Sequence, residues 1–399
     1  MHHRSRRLVA ALGLSAAAAL CAAPSPAAAA PISGSYIVTL SSGDPATVSA
    51  DQARRVGATV DHVYRYAVRG YAAHMSATAA QRLRADSRVQ SVVQDQSVAI
   101  DAQTLPTGIN RIDGELSSTI SGNGSGAVDV DIAIIDTGIS AHPDLNIAGG
   151  VNCSTGSSYA DGNGHGSHVA GTAAAKDDAN GVVGVAPGAR LWAVRVLNNQ
   201  GSGSWSAIIC GIDWVTAHAS TIEVANMSLG GTGTDTGCND GGMHAAICRS
   251  VAAGVTYAVA AGNESDDAKN HVPAAYDEAI TVSALADFNG LPGGGAASTC
   301  RADVDDTFAD FSNYGADVDI MAPGVCIYST WKGGGYNTIS GTSMATPHVT
   351  GAAALYKSTH PTASPAAVKS ALQAAGNLGW NTATDPDATH EALLNVDAF

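Results

Sequence analysis

Basic charge is scarce in this chain. Its 20 Lys and Arg residues stand against 35 Asp and Glu, a formal net charge of -15. Binding to nucleic acid depends on neutralising phosphates with clustered cations, and attachment to an anionic lipid surface draws on the same groups. Neither partner is expected. Aromatic residues are also few, at 5%, and charged residues of both signs reach only 14%. Beyond residue 30 no apolar run is long enough to cross a bilayer, and no internal repeat or low-complexity tract interrupts the chain. None of the seven cysteines shows the paired C-x-x-C spacing of a zinc framework.

What the chain does contain is apolar mass. With 45% hydrophobic residues over 399 positions there is material for a large core and more than one folding unit, and 45 glycines mark many tight turns. Residues 1–30 have their own character. The basic opening MHHRSRR, the apolar LVAALGLSAAAAL and the small-residue SPAAAA read as an export signal, cleaved near Ala30. The protein is therefore expected to be secreted, into surroundings where disulfides persist. Apart from Cys21 in the signal, six cysteines remain, enough for three disulfides in about 15 connectivities. Cys238 and Cys248 are near enough to close a small loop; Cys300–Cys326 and Cys153–Cys210 are the other expected pairs.

Residues 31–101 form a second segment. SYIVTL reads as a strand, VDHVYRYAVRGYAAHM as two strands meeting at Gly70, SATAAQRL as a helix begun by Ser76, and VQSVVQDQSV as a closing strand. With two helices these make a small α+β unit, and AIDAQTLP follows as a linker. From residue 102 to 399 the texture becomes strand–helix alternation. VDVDIAIID, LWAVRVL, IEVANMSL, VTYAVAAG and AITVSAL are short apolar runs rich in β-branched residues, with helical stretches such as SAIICGIDWVTAHA and MHAAICRSVAAG between them. The pattern predicts an α/β fold, a parallel sheet with helices on both faces. Ligands bind such sheets beyond the carboxyl ends of the strands.

Asp136 directly follows the run IAII, and Asn263 follows AVAAG. Ser343 stands in SGTSMATPHVTGAAALY, a loop running into an alanine-rich helix. Pro347 is tolerated there only in a first turn, which predicts Ser343 at or near the helix start. Taken singly, each has a plain reading: a turn residue for the aspartate or asparagine, an N-cap for the serine. The two histidines of DGNGHGSHVAGT, His165 and His168, could share a metal, or one could be a base and the other its packed neighbour. Together, an aspartate, a histidine, an asparagine and a serine at successive strand ends and helix starts supply what acyl transfer needs. These needs are a nucleophile, a base, a carboxylate that holds the base's tautomer, and a donor for the oxyanion.

Five motifs in this order, IIDTGISAHPDL, GHGSHVAGT, NMSLGG, AAGNES and SGTSMATPHV, resemble those of the subtilisin-like serine proteases. The likeness covers roughly Ala102 to Lys357. It implies a secreted serine endopeptidase of broad specificity, with Ser343 as nucleophile, His165 as base, Asp136 as its orienting carboxylate, Asn263 at the oxyanion and no catalytic metal. His168 then becomes a packed residue one turn along the helix, since an H-x-x-H zinc pair would need a glutamate and a third ligand. Ser167 stands where the family more often has threonine. Gly201, Ser202 and Gly203, together with Ser228, Leu229 and Gly230, match the segments that flank the family's substrate, and Trp205 matches a pocket wall. Backbone so bare of side chains suits a peptide bound by strand addition.

Residues 1–101 carry 10 Arg, no Lys and 6 acids, which leaves 10 basic and 29 acidic residues in the remainder. Self-repulsion at that charge favours bound cations. The resemblance implies a structural calcium site made by Gln103, the Asp144 and Asp178 side chains, and the carbonyls of Lys176, Asn180 and Val182. At 178 an aspartate replaces the more common asparagine. Residues 287–307, DFNGLPGGGAASTCRADVDDT, look longer than in short family members, and DVDD reads as a solvated acidic surface. Residues 31–101 resemble the family's propeptide, which assists folding, inhibits the enzyme and is cut away, here before Ala102. The implied partners are polypeptide substrates and the chain's own propeptide, and the mature protein is expected to be a monomer. A lipase or esterase would carry a G-x-S-x-G elbow and a Ser–Asp–His order, and a dead relative would lack one of Asp136, His165 and Ser343. Neither applies.

Overall fold

The computed structural model describes residues 31–96, 103–239 and 241–399. The expected export signal and the expected cut before Ala102 lie outside the described residues. The chain divides into two compact units, one up to residue 101 and the other from 102 onward.

In the first unit, β1 (Pro31–Leu40), β2 (Thr59–Tyr64), β3 (Gly70–His74) and β4 (Val89–Gln96) form an antiparallel sheet in the order β2-β3-β1-β4. Helices α1 (Pro45–Val56) and α2 (Ala77–Arg84) bury Val48, Ala79 and Leu83 against Tyr36, Val38, Tyr71 and Val92 of the strands. Local chemistry sets the helix starts. Asp44 caps α1 by accepting from Thr47 N at 3.0 Å, and Pro45 occupies its first turn. Ser76 caps α2, accepting from Ala79 N at 3.2 Å. The fully buried Tyr71 donates its hydroxyl to Gln52 Oε1 at 2.7 Å, so its polar end is not orphaned.

The second unit opens with α3 (Thr107–Arg111) and then alternates. Its elements are β5 (Asp131–Asp136), β6 (Ile147–Asn152), α4 (His165–Ala174), β7 (Arg190–Arg195), α5 (Trp205–Ala217), β8 (Val224–Met227), β9 (Gly231–Thr232), α6 (Met243–Ala252) and β10 (Thr256–Ala260). There follow β11 (His271–Val272), β12 (Ile280–Ala286), β13 (Thr307–Phe308), β14 (Ile320–Pro323), β15 (Ile327–Trp331), β16 (Gly335–Ile339), α7 (Thr342–Thr359) and α8 (Pro365–Ala375). Parallel pairing runs β6-β7-β5-β8-β10-β12-β14, with β13 antiparallel to the end of β12. Alternate residues of β5 serve opposite faces. Ile132 and Ile134 join a core with Val169, Val349 and Val368 from α4, α7 and α8; Ala133 and Ile135 join another with Ile208, Ile212 and Ile247 from α5 and α6. The sheet is thus covered on both sides. From β5 the chain goes out to the edge strand β6 and back to β7 on one side, then crosses to β8 on the other, so the order reverses at β5 and opens a crevice at its carboxyl end.

All three disulfides form as expected: Cys153–Cys210, Cys238–Cys248 and Cys300–Cys326. The edge strand β6 escaped the sequence reading because IAGGVN, half-exposed and with two glycines, carries little strand propensity.

Two expectations need correction. Helix α7 starts at Thr342, so Pro347 is its sixth residue and lies in the second turn, not the first. A proline there lacks the N–H that would have bonded the Ser343 carbonyl four residues earlier. Ser228 Oγ fills the gap, donating to that carbonyl at 2.8 Å. The second correction concerns DVDD, whose last two residues, Asp305 and Asp306, are buried rather than part of a solvated surface. Asp305 accepts from Phe288 N (2.8 Å) and Ala296 N (2.9 Å). Asp306 accepts from Gly293 N and Gly294 N and pairs with the buried Arg111. A loop without ladder partners needs acceptors for its N–H groups, and these carboxylates turn inward to supply them.

Candidate active site

Asp136 is the last residue of β5 and is wholly buried. Its Oδ1 accepts from Thr137 N at 2.6 Å. His165 is the first residue of α4, entered through Gly164 at φ 117. A Cβ on Gly164 would come within 2.3 Å of the Trp331 ring, so both backbone and space demand glycine. The turn aims the imidazole back at the strand end: His165 Nδ1 lies 2.8 and 2.9 Å from the two Asp136 oxygens. A quarter of the His165 side chain stays exposed. Burial alone would lower its pKa, but the charge and hydrogen bond of Asp136, with a further contribution from Asp161, outweigh it and raise the pKa above the ordinary histidine value.

Asp161 was not singled out in the sequence, and it organises this corner. Its Oδ1 accepts from Thr137 Oγ1 (2.9 Å), Asn163 N (2.8 Å) and Gly164 N (2.8 Å), and its Oδ2 from Ser167 N (3.0 Å) and Ser167 Oγ (2.8 Å). Thr137 Oγ1 accepts in turn from Gly166 N at 3.0 Å. One buried carboxylate therefore ties the end of β5 to the start of α4. The signal was in view, since Asp161 opens the DGNGHG motif, but a lone aspartate among glycines reads equally as a turn.

His168 faces away from this work. It is fully buried, its Nε2 donates to the Ile327 carbonyl at 2.9 Å, and burial drives its pKa down to about 3. Among the described residues no group of three or more metal-ligating atoms includes His165 or His168.

Ser343 is the second residue of α7, where unpaired N–H groups and the helix dipole favour negative charge. Asn263 Oδ1 accepts from Thr342 N (2.8 Å) and Thr342 Oγ1 (3.1 Å), which fixes the amide with its Nδ2 free of protein partners among the described residues. Gly341, at φ 155, separates the two groups; a Cβ there would sit 3.7 Å from Ser343 N and 3.8 Å from Asn263 Nδ2. Two donors therefore flank one small space that only glycine leaves open. The Ser343 hydroxyl donates to the Ser228 carbonyl at 3.3 Å and forms no hydrogen bond with His165 among the described residues. Such bonds are often loose before substrate binds.

A cleft of about 700 Å³ opens beside His165, and Gly201, Ser202, Gly203, Trp205, Ser228, Leu229 and Gly230 all line it. The Trp205 ring packs against Gly231, where an added Cβ would lie 3.1 Å from it. A smaller cavity of about 110 Å³ adjoins Ser343 and Asn263, walled by Gly230, Gly231 and Ala260–Gly262, with Glu264 and His271 also lining it. Neither Glu264 nor His271 stood out in the sequence.

The expected calcium ligands converge in part. Gln103 Nε2 donates to the carbonyls of Lys176 (2.8 Å) and Val182 (3.3 Å), while its Oε1 is buried without a partner among the described residues. Asp144 Oδ2 accepts from Val182 N (2.9 Å) and Tyr336 Oη (3.0 Å). The Asp178 side chain, expected as a ligand, is exposed and its Oδ1 accepts from Asn180 N at 3.2 Å instead. An orphaned amide oxygen beside two carbonyls and a carboxylate is the donor chemistry of a hard cation.

Residues 128–390 match the model of the Subtilase family, and residues 35–101 that of the Peptidase inhibitor I9 family. Subtilisin DY of Bacillus licheniformis is 42% identical over 303 residues, which span 74% of this chain and 99% of the relative. Subtilisin E of Bacillus subtilis (strain 168) is 39% identical over 332 residues, 82% of this chain and 80% of the relative. Among solved structures, a cold adapted subtilisin-like serine proteinase superposes with a TM-score of 0.57 at 32% identity, covering 73% of this chain and 97% of the other. The chain belongs to the subtilase family: it is a subtilisin-like serine protease preceded by an I9-type propeptide domain.

Proposed function

We propose that the chain is a secreted zymogen. Residues 1–30 direct export, residues 31–101 are the propeptide, and residues 102–399 are the mature endopeptidase. The carrying observation is the two-point contact of His165 Nδ1 with Asp136 at the mouth of the larger cleft. Asp136 holds the imidazole with its proton on Nδ1, which frees Nε2 as the base. Ser343 Oγ attacks the scissile carbonyl as His165 Nε2 takes its proton, and the oxyanion accepts from Ser343 N and Asn263 Nδ2. His165 then returns the proton to the departing amine, leaving an acyl-enzyme. Water, deprotonated by the same imidazole, releases it.

The substrate is an extended polypeptide lying between the edges Gly201–Gly203 and Ser228–Gly230, with Trp205 as a wall; main-chain contacts give broad specificity. The propeptide is its intramolecular inhibitor. Calcium would be held by Gln103, Asp144 and the carbonyls of Lys176 and Val182, with Asp178 and Asn180 at the rim, and would supply positive charge that stabilises the acidic mature chain. The mature enzyme acts as a monomer.

The test is intact mass and N-terminal sequence of the secreted protein, wild type beside Ser343→Ala. Only the wild type should shed residues 31–101. Equal trimming of both, or none in either although both fold, would overturn self-processing. Chelation should lower the melting temperature of the mature form; at free calcium a thousandfold above Kd the ion contributes about 4 kcal/mol. A melting temperature indifferent to chelator removes calcium from the account.

A further inference from the structure

We propose that Cys238, His244, Cys248 and Glu278 constitute a redox-gated zinc site: a disulfide staple when oxidised, a tetrahedral metal centre when reduced. This does not rest on the catalytic reading, and none of the four residues belongs to the candidate active site. One ligating atom from each lies within 4.8 Å of all the others. His244 and Cys248 are four residues apart on α6 and share one face of that helix. Cys238 comes from the preceding loop, and Glu278 from the segment before β12.

The contacts around Glu278 carry the argument. Its Oε2 accepts from His244 Nε2 at 2.7 Å, and its Oε1 lies 3.0 Å from Cys238 Sγ. In the disulfide that sulfur bears no proton, so the carboxylate oxygen faces an atom that cannot donate to it. A cation among these atoms resolves the mismatch. The histidine is already oriented for one. It is 2% exposed, its ring stacks on Tyr276 with centroids 3.9 Å apart, and Asp235 Oδ1 lies 2.8 Å from Nδ1. That last contact sits off the N–H axis, which leaves Nδ1 without an aligned acceptor among the described residues until the ring shifts. A carboxylate behind the far nitrogen of a histidine is the usual outer support of a metal ligand.

Two thiolates, one imidazole and one carboxylate suit zinc. Calcium and magnesium take oxygen sets, and calcium needs six to eight of them. A dithiol reductant delivers two electrons and two protons, the Cys238–Cys248 bond breaks to two thiols, and the reductant becomes a disulfide. Zinc then displaces both thiol protons. Glu278 gives up His244 Nε2, whose proton leaves to solvent while Nδ1 carries the remaining N–H toward Asp235 Oδ1. Nε2 then presents its lone pair to the ion, and the freed carboxylate turns onto it.

The test uses the full chain in a Ser343→Ala background, so that self-digestion does not intervene. After reduction with a phosphine, which water converts to the phosphine oxide, cobalt(II) is titrated without oxygen. One equivalent should bind with a sulfur-to-cobalt charge-transfer band and tetrahedral visible bands, and zinc should abolish both. Cys238→Ser/Cys248→Ser should remove the signal. His244→Ala and the isosteric Glu278→Gln should each weaken cobalt binding at least about tenfold, the loss expected even when only an outer support of a ligand is removed. A band that survives the double serine variant would assign the thiolates to the other disulfides and overturn the site. So would equal affinity in both His244→Ala and Glu278→Gln, or a reduced chain, folded or not, that takes no cobalt.

Discussion

The corner around His165 and the loop from Asp287 to Asp306 are both built of buried aspartates, glycines and one nitrogen-bearing side chain, yet their atoms end in opposite conditions. In the loop, the Asp305 oxygens and both of those of Asp306 meet an N–H or the Arg111 guanidinium, and Asp287 Oδ2, without a hydrogen bond among the described residues, still lies 3.2 Å from Arg111 Nε. In the corner, Asp161 is equally saturated, but the groups around the cleft are left with capacity to spare: a quarter-exposed His165, a Ser343 hydroxyl held at 3.3 Å, and an Asn263 amide whose Nδ2 has no partner among the described residues. Acidic composition is common to both. Unfilled valence, placed beside a cleft, marks the functional one.

The comparison can be broken from either side. The largest effect belongs to the closed loop. Arg111→Met leaves the Asp306 and Asp287 carboxylates buried against a neutral chain, and breaking a buried pair of this kind costs about 3–5 kcal/mol. Urea unfolding of the Ser343→Ala form should register it, with no change expected in the cleft; a loss under 1 kcal/mol would mean the loop is not held as described. On the open side, Asn263→Ala should leave folding intact and lower kcat by about 100- to 1000-fold, a scale established for the oxyanion asparagine of a subtilisin. An unchanged kcat on a short peptide amide would remove Asn263 from the oxyanion.

The smallest effect is a displacement along the pH axis. His165 must be neutral to accept a proton, and Asp136 raises its pKa. Activity should therefore fall about tenfold per unit on the acid side of a midpoint that lies above the ordinary histidine value of about 6.5. A midpoint below that value, read from kcat/KM between pH 5 and 9, would mean that burial rather than Asp136 dominates the imidazole.

Much of this was legible in the linear chain. The strands ending at Asp136 and before Asn263 announce themselves as apolar runs stopped by a polar residue, and the Ser76 cap is visible as a serine before a helical pattern. Pro347 misled, because a missing N–H can be offset from outside the helix, and nothing in the order of residues says that Ser228 will do so. DVDD misled for the same kind of reason: four residues cannot report that the N–H groups of 288, 293, 294 and 296 will need their oxygens.

By itself, then, the sequence determined the alternation of strand and helix, the residue types at the strand ends and the order in which they occur, since those follow from local periodicity and turn chemistry. The tertiary structure decided which polar atoms are satisfied. It closed the 287–306 loop, left Gln103 Oε1 without a partner among the described residues, and gathered Cys238, His244, Cys248 and Glu278 although no C-x-x-C spacing announced them. Hydrogen-bond capacity is exhausted by neighbours in space, and parallel strands draw those neighbours from distant parts of the chain.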